Sequence, residues 1–374
     1  MIIIRIIYFT SLFKITNKRE SYYYDIVNSL VEKYPDVEFL VYTINCEKNE
    51  VIKINKNILW IKRRNLKNLY ATFLFLKDIK TLFIKFNPDI LHSLYLIESI
   101  IMGILGKIFK IPSIFHGRGV DINYTPFISL KQNIKARIGC KLNNKIITVS
   151  KDMKRNIMNL NVPEKKITWL YNGVDLSLFR SNSKKWEKNI DIVNLIHIGR
   201  YSPEKRQEMI IEVCKELKKN GHKFHLTLIG YGPLEKYLKL KIKELHIQDK
   251  ITMKGFVPHS KIPLYLRKAH IYIQTSITEG IPNSVLEAMS MQLVIIMTKA
   301  GGMPELKNPP GTKFIEVNNN NQLFDAIIEY INKPDMMKLG GKSNREFVLK
   351  NFTWDHHASK LYSIYNQLLM KNQV

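Results

Sequence analysis

The chain has 374 residues, 45% of them hydrophobic and 24% charged, a length that suits two domains and a composition that sustains substantial cores. No run reaches the roughly 18 uninterrupted apolar residues of a membrane span; the best stretch, 94–109, contains Glu98 and Lys107. The formal net charge of +26 divides into +17 before residue 190 and +9 after it. Abundant Lys, Asn and Ile make compositional drift one reading of that charge, and an anionic membrane surface or a phosphate-bearing acceptor is the other. No RNP-like, zinc-finger or helix-turn-helix pattern accompanies the charge, so nucleic acid is not expected as a partner.

The opening run 1–10 lacks the basic start, full apolar stretch and cleavage site of a signal peptide, and is expected to be a buried strand over 2–9. Further strands are expected at 38–42, 90–92, 113–116 and 145–149. Between them, residues 60–85 mix Trp60, Tyr70, Phe73, Phe75 and Phe83 with Lys62, Arg63, Arg64, Lys67, Lys77, Lys80 and Lys85. A basic, aromatic amphipathic helix of this kind suits an anionic membrane surface, and a core helix with basic solvent positions would have the same composition. The polar, aperiodic stretch 181–189 reads as a linker.

Beyond it, apolar runs at 192–198, 224–229, 251–256, 270–274 and 293–297 read as buried parallel strands, alternating with helical patterns at 206–219, 234–245 and 283–291. The tract 318–321 is a polar turn, and 355–369 an amphipathic helix. This alternation predicts doubly wound α/β sheets, two in tandem. Cys46, Cys140 and Cys214 form neither a disulfide framework nor a metal-ligand spacing, which points to a reducing cytoplasm.

Ligands of doubly wound sheets bind beyond the carboxyl ends of the strands, at Gly-rich turns and helix N-termini. In Glu279-Gly-Ile-Pro-Asn-Ser-Val-Leu-Glu287, one carboxylate precedes a helix start and the second lies inside the helix. The amides of Asn283, Ser284 and Val285 are expected to point outward as an anion site, and the two carboxylates suit sugar and ribose hydroxyls. A first-turn Glu favoured by the helix dipole is the plainer reading. In Gly199-Arg-Tyr-Ser-Pro-Glu-Lys205, the glycine permits close backbone approach at a strand end. Arg200 and Lys205 there offer a fork and a point charge to a diphosphate; a solvated basic loop is the alternative.

These two segments resemble the E-x7-E and G-R-x-x-x-E-K elements of retaining glycosyltransferase family 4. Further matches run in order at Asn87-Pro88-Asp89-Ile90-Leu91-His92, Val149-Ser150-Lys151, Asn172-Gly173-Val174-Asp175, Gly230-Tyr231-Gly232-Pro233, Gly255-Phe256-Val257 and Gly301-Gly302-Met303-Pro304-Glu305, ending at Phe352-Thr-Trp-Asp. The resemblance implies the GT-B fold, an α/β architecture of two Rossmann-like doubly wound domains facing across a cleft. They would be an acceptor-binding domain at 1–185 and a nucleotide-sugar-binding domain at 186–352, with a helix at 353–374 returning to the first. It also implies that Arg200 and Lys205 neutralise the departing diphosphate, that Glu279 binds the transferred sugar and that Glu287 binds the ribose. Gly199, Asn283 and Ser284 would complete the donor site. His116 matches the family's active-site histidine, with Arg118 and Asp121 beside it on the acceptor side.

The function implied is retaining transfer of a hexosyl or N-acetylhexosaminyl group from a nucleotide-sugar to a glycan or lipid-linked acceptor in surface polysaccharide biosynthesis, such as lipopolysaccharide or capsule. No Asp-x-Asp motif occurs, so no metal and no cofactor are expected. The expected location is cytoplasmic, peripheral on the inner face of the plasma membrane if the basic segment meets lipid. The family's first strand leads into a Gly-Gly turn, whereas residues 9–20 here contain no glycine. A nucleotide-sugar epimerase, a phosphorylase of the same fold and a non-catalytic nucleotide-sugar-binding protein are the alternatives.

Overall fold

A computed structural model describes residues 3–10, 22–46, 49–64, 69–181, 190–307 and 309–371. The chain forms two compact units, Met1–Tyr171 with Trp354–Val374, and Asn172–Thr353. The first unit runs β1 (Ile4–Phe9), α1 (Tyr22–Lys33), β2 (Val37–Cys46), β3 (Glu50–Lys53), β4 (Ile58–Arg64), α2 (Leu69–Phe86), β5 (Ile90–Leu94) and α3 (Leu96–Phe109). It continues with β6 (Ser113–Gly117), α4 (Val120–Asn123), α5 (Thr125–Ile128), α6 (Leu130–Leu142), β7 (Lys145–Thr148), α7 (Lys151–Met158) and β8 (Ile167–Trp169). Among the described residues these strands make one sheet in the order β3-β4-β2-β1-β5-β6-β7-β8, parallel except for the β3–β4 pair. Ile6, Ile7, Tyr8 and Phe9 are all fully buried, as a central parallel strand covered on both faces requires.

The second unit runs β9 (Val193–Ile198), α8 (Gln207–Lys219), β10 (Phe224–Ile229), α9 (Glu235–Glu244), β11 (Ile251–Met253), α10 (Ile262–Leu266) and β12 (Ile271–Gln274). Then follow α11 (Asn283–Ser290), β13 (Val294–Thr298), β14 (Thr312–Ile315), α12 (Asn320–Asn332) and α13 (Pro334–Asn351). Its sheet is parallel, in the order β11-β10-β9-β12-β13-β14. The chain winds outward from β9 on one side and from β12 on the other, so the switch point lies between these two strands. A crevice for ligands opens beyond the carboxyl ends of such a pair.

The final helix, α14 (Trp354–Lys371), belongs to the first unit. Ala358, Leu361, Ile364 and Tyr365 are buried in the core that holds Tyr8, Ile26 and Leu30. Lys33 Nζ donates to Asp355 Oδ1 at 2.6 Å and the Tyr362 hydroxyl to Asp36 Oδ2 at 2.7 Å.

Two expectations need correction. The units divide at Tyr171/Asn172 and not at 185/186. After β8 the chain already pairs with the second unit: Val174 N donates to the Phe352 carbonyl at 2.9 Å, and Ser290 Oγ to the Phe179 carbonyl at 2.9 Å. The expected linker falls largely at 182–189, outside the described residues, as do residues 11–20 of the glycine-free loop. Residues 60–85 are not one helix: 58–64 form β4, where Trp60 is 3% exposed and donates to Thr43 Oγ1 at 3.0 Å. Phe83 is buried against Phe109, so both aromatics serve the core. The side chains of Arg64, Lys67, Tyr70, Phe73, Phe75 and Lys77 lie outside the described ones.

Truncating the fully buried Leu361 to Ala should lower stability by about 2–5 kcal/mol through the cavity it leaves. Urea unfolding measures this, and an unchanged midpoint would remove α14 from the core.

Candidate active site

The switch point of the second unit gathers the residues singled out by sequence. The loop after β9 carries Gly199, Arg200 and Lys205, and the loop after β12 carries Glu279. Their backbones are tied together: Ile277 N donates to the Glu204 carbonyl at 2.9 Å, and Thr275 Oγ1 to the Lys205 carbonyl at 2.9 Å. Lys205 Nζ then forms an ion pair with Glu279 Oε1, with side chains only 19% and 17% exposed. Ser276 Oγ and Gln274 Nε2 also reach Oε1, each at 3.2 Å, which leaves Oε2 without a donor among the described residues. A third loop closes behind Glu279, whose carbonyl accepts from Gly302 N at 2.9 Å. Gly301 has φ +56°, and a Cβ there would overlap that same carbonyl oxygen, so only glycine fits.

Arg200 is exposed, while its carbonyl accepts from Gln207 Nε2 at 2.7 Å. The same Gln207 nitrogen lies 3.2 Å from His197 Nε2, and His197 Nδ1 lies 2.8 Å from the Ile273 carbonyl. A carbonyl accepts only, so Nδ1 carries the proton and Nε2 receives the amide hydrogen of Gln207. Burial first, and Lys205 in addition, hold His197 down at about 4, which keeps the ring neutral.

Helix α11 begins after Pro282. Asn283 Oδ1 accepts from Asn172 Nδ2 at 2.8 Å, and Ser284 Oγ lies 2.7 Å from the Tyr272 hydroxyl. The Val285 amide is engaged by the Pro282 carbonyl at 3.1 Å, so it does not join an outward anion site as expected. Glu287 is 9% exposed and its Oε1 lies 2.7 Å from His259 Nε2, whose ring packs on Phe179 at 5.3 Å. Burial raises the Tyr272 hydroxyl well above the ordinary value, and the charges of Glu287 and Glu279 add to that rise. On the neighbouring strand ends, Tyr231 and Phe256 are 61% and 68% exposed and stand edge to face at 5.8 Å.

In the first unit, His116 ends β6 fully buried, with Nδ1 3.2 Å from His92 Nε2. His92 Nδ1 in turn lies 2.7 Å from the Tyr365 hydroxyl of α14, and His357 Nδ1 lies 2.8 Å from the Tyr171 carbonyl. His116 Nε2 and His357 Nε2 are buried without a hydrogen-bond partner among the described residues. Burial first, then the Arg118 guanidinium, holds His92 at about 3 and His116 well below its ordinary value of 6.5. His357 is likewise held at about 3, chiefly by burial. Arg118 also stands over the Tyr23 ring at 5.5 Å. Asp121 lies on α4, and its side chain is outside the described ones.

The structure therefore brings Gly199, Arg200, Lys205, Glu279, Asn283, Ser284 and Glu287 to one end of the second sheet, and His116 and Arg118 to one end of β6. Sequence reasoning missed Gln274, Ser276, Tyr272 and His259. The polar run Gln274-Thr-Ser at the end of a buried strand was the available signal for the first two. It gave no site role to His92, which it met only as the end of a motif, and it missed His357; both reach His116 only through the sheet register and the return of α14.

Comparison with known proteins agrees with this geometry. The profile of Glycosyltransferase Family 4 matches residues 20–178, and that of Glycosyl transferases group 1 matches residues 179–347. Sucrose-phosphate synthase from Thermosynechococcus elongatus superposes with a TM-score of 0.84 at 16% identity, over 98% of this chain and 100% of that one. Anabaena Alr3699/HepE, solved in complex with UDP, does so with 0.78 at 15%, again over 98% and 100%. The fold is GT-B, and the class is glycosyltransferase. More narrowly, the chain belongs to glycosyltransferase family 4.

Among its relatives, the uncharacterized glycosyltransferase MJ1178 of Methanocaldococcus jannaschii is 27% identical over 354 residues, 91% of this chain and 93% of the relative. The putative colanic acid biosynthesis glycosyltransferase WcaL of Salmonella typhimurium is 28% identical over 237 residues, 60% of this chain. That match spans a little over half, 56%, of the WcaL sequence.

The buried histidines set a pH dependence. Below about 6.5 the unfolded chain binds protons on these rings that the folded chain refuses, so stability is complete above 6.5 and declines as pH falls toward 4. The slope should be about 1 kcal/mol per pH unit for each ring. Thermal midpoints recorded from pH 7.5 down to 4.5 test this; a flat profile would mean that the rings titrate freely.

Proposed function

We propose that the protein transfers a hexosyl or N-acetylhexosaminyl group from a nucleotide-sugar to a glycan or lipid-linked acceptor in surface polysaccharide biosynthesis, retaining the anomeric configuration and using no metal ion. The observation that carries this reading is the Lys205–Glu279 pair at the switch point, flanked by the exposed Arg200. Cleavage of the bond between sugar and diphosphate builds negative charge on the leaving oxygens and positive character on the anomeric carbon. Arg200 and Lys205 stabilise that leaving charge more in the transition state than in the ground state, with the Asn283 and Ser284 amides at the α11 N-terminus adding donors. Glu279 presents its open Oε2 to a hydroxyl of the transferred sugar. Glu287, oriented by His259, takes the ribose hydroxyls, and Tyr231 and Phe256 offer ring faces and edges to the base. In the first unit, neutral His116 turns its unpartnered Nε2 toward a hydroxyl, with Arg118 serving the acceptor side.

Two relationships support the assignment. WcaL is named for colanic acid biosynthesis, and HepE was solved with UDP and with UDP-glucose. UDP-sugars are therefore the first donors to try.

A thermal-shift panel of UDP, GDP, ADP and their sugar conjugates, with and without EDTA, tests the donor site. One nucleotide should raise the midpoint, by about 2.7 kcal/mol of stabilisation at a hundredfold excess over Kd, and EDTA should change nothing. Silence across the panel would refute a working donor site. Once a donor is known, Lys205→Ala should lower kcat by about a hundredfold or more, as loss of a preorganised charge contact does. An undiminished kcat in a folded variant would take Lys205 out of the mechanism.

A further inference from the structure

Among the described residues, exposed large hydrophobic side chains are not scattered evenly. Of the 25 found, ten lie between residues 97 and 138, on α3, α5, α6 and their joints. Ile97, Ile104 and Ile108 form one stripe along α3, and Leu130, Ile134 and Ile138 recur every four residues along α6. These six are between 44% and 78% exposed. The two helices are pressed together through small residues: Gly103 of α3 meets Leu142 and Asn143, and Gly139 of α6 meets Leu96 and Ser99. Asn143 Nδ2 locks the joint by donating to the Ser99 carbonyl at 2.9 Å and the Gly139 carbonyl at 2.7 Å. With their facing flanks used for each other, both helices carry their isoleucine stripes on the outward side. Exposed apolar side chains gathered on neighbouring helices in this way mark an interaction surface.

The charges around the stripes choose the occupant. Lys107, Lys131, Arg137 and Lys141 are exposed on the same helices, with Lys110 directly after α3. The only acidic residue on α3, α5 and α6 is Glu98, and it is 5% exposed. A second copy docking on this face would bring lysine against lysine with no carboxylate to answer. A polyanion alone would leave the isoleucines in water. An anionic lipid surface satisfies both, because apolar side chains enter the acyl boundary while Lys and Arg extend to the headgroups. No described helix is long and apolar enough to cross a membrane, so such contact lies in the plane of the interface.

We infer that the outward face of α3 and α6, extended by α5, is a docking surface for an anionic lipid bilayer. This surface is separate from residues 60–85, and it stands whether or not the proposed sugar transfer does, since binding is read without turnover.

The test is co-sedimentation of the whole protein with vesicles of phosphatidylcholine alone and of phosphatidylcholine mixed with phosphatidylglycerol. The protein should pellet with the mixed vesicles, and raised salt should release it. The triple variant Ile104→Ser, Ile134→Ser, Ile138→Ser should lose about tenfold or more in partitioning, and Lys107→Glu with Lys131→Glu should do the same. Leu339→Ser, an equally exposed apolar site on the second unit, should bind as the parent does. All the substituted side chains are exposed or half-exposed, so thermal midpoints should stay near the parent value. The inference is overturned if the parent ignores the mixed vesicles, or if the folded triple variant pellets as the parent does. It is equally overturned if sedimentation velocity shows a dimer that the triple variant dissolves, which would make the occupant a second copy.

Discussion

The arrangement at the carboxyl end of the second sheet depends on one ion pair, Lys205 with Glu279. Two strands adjacent in the sheet but distant in sequence, β9 and β12, end side by side, and a charged residue from the loop after each is less than one-fifth exposed. Removing either partner would leave the other charge partly desolvated and unanswered, a costly arrangement. Much of the surrounding detail serves to hold this pair. Ser276 and Gln274 share the same carboxylate oxygen, Thr275 holds the Lys205 carbonyl, and Gly301 makes room for the backbone of Glu279. The result is a cation and an acceptor preorganised at the place where a doubly wound sheet binds its ligand.

The first unit solves a different problem. His92, His116 and His357 are packed where water does not reach, and burial keeps all three neutral. A neutral imidazole can both give and receive a hydrogen bond, and the Tyr365–His92–His116 line ends on the unpartnered Nε2 of His116. Helix α14 is essential to this line, since it supplies Tyr365 and His357. The last eighteen residues of ordered helix therefore contribute to the core and to the histidine cluster together.

How much was legible beforehand follows from what each feature requires. Strands buried on both faces are long apolar runs, and β9, β10, β12 and β13 were readable within a residue or so of their ends. The edge strand β3 and its neighbour β4 were not, because β3 has only four residues and β4 runs from the apolar stretch 58–61 straight into basic residues. Glu279, Glu287, Arg200 and Lys205 announced themselves by following strands at recognisable spacing. His259 did not: it reaches Glu287 from 28 residues away, a contact that spacing cannot express.

The sequence alone determined the doubly wound class, the succession of β9 to β13 with α8, α9 and α11 in the second unit, the family and the set of charged residues beyond the strand ends. Periodicity and local spacing carry that information because it concerns residues close together in the chain. Tertiary structure decided the rest: the division at Tyr171, the capture of α14 by the first unit, the neutrality of the buried histidines, and the outward isoleucine face of α3 and α6. Each of these depends on which surfaces remain wet once the chain has closed, and burial is a property of the packed molecule that no local pattern records.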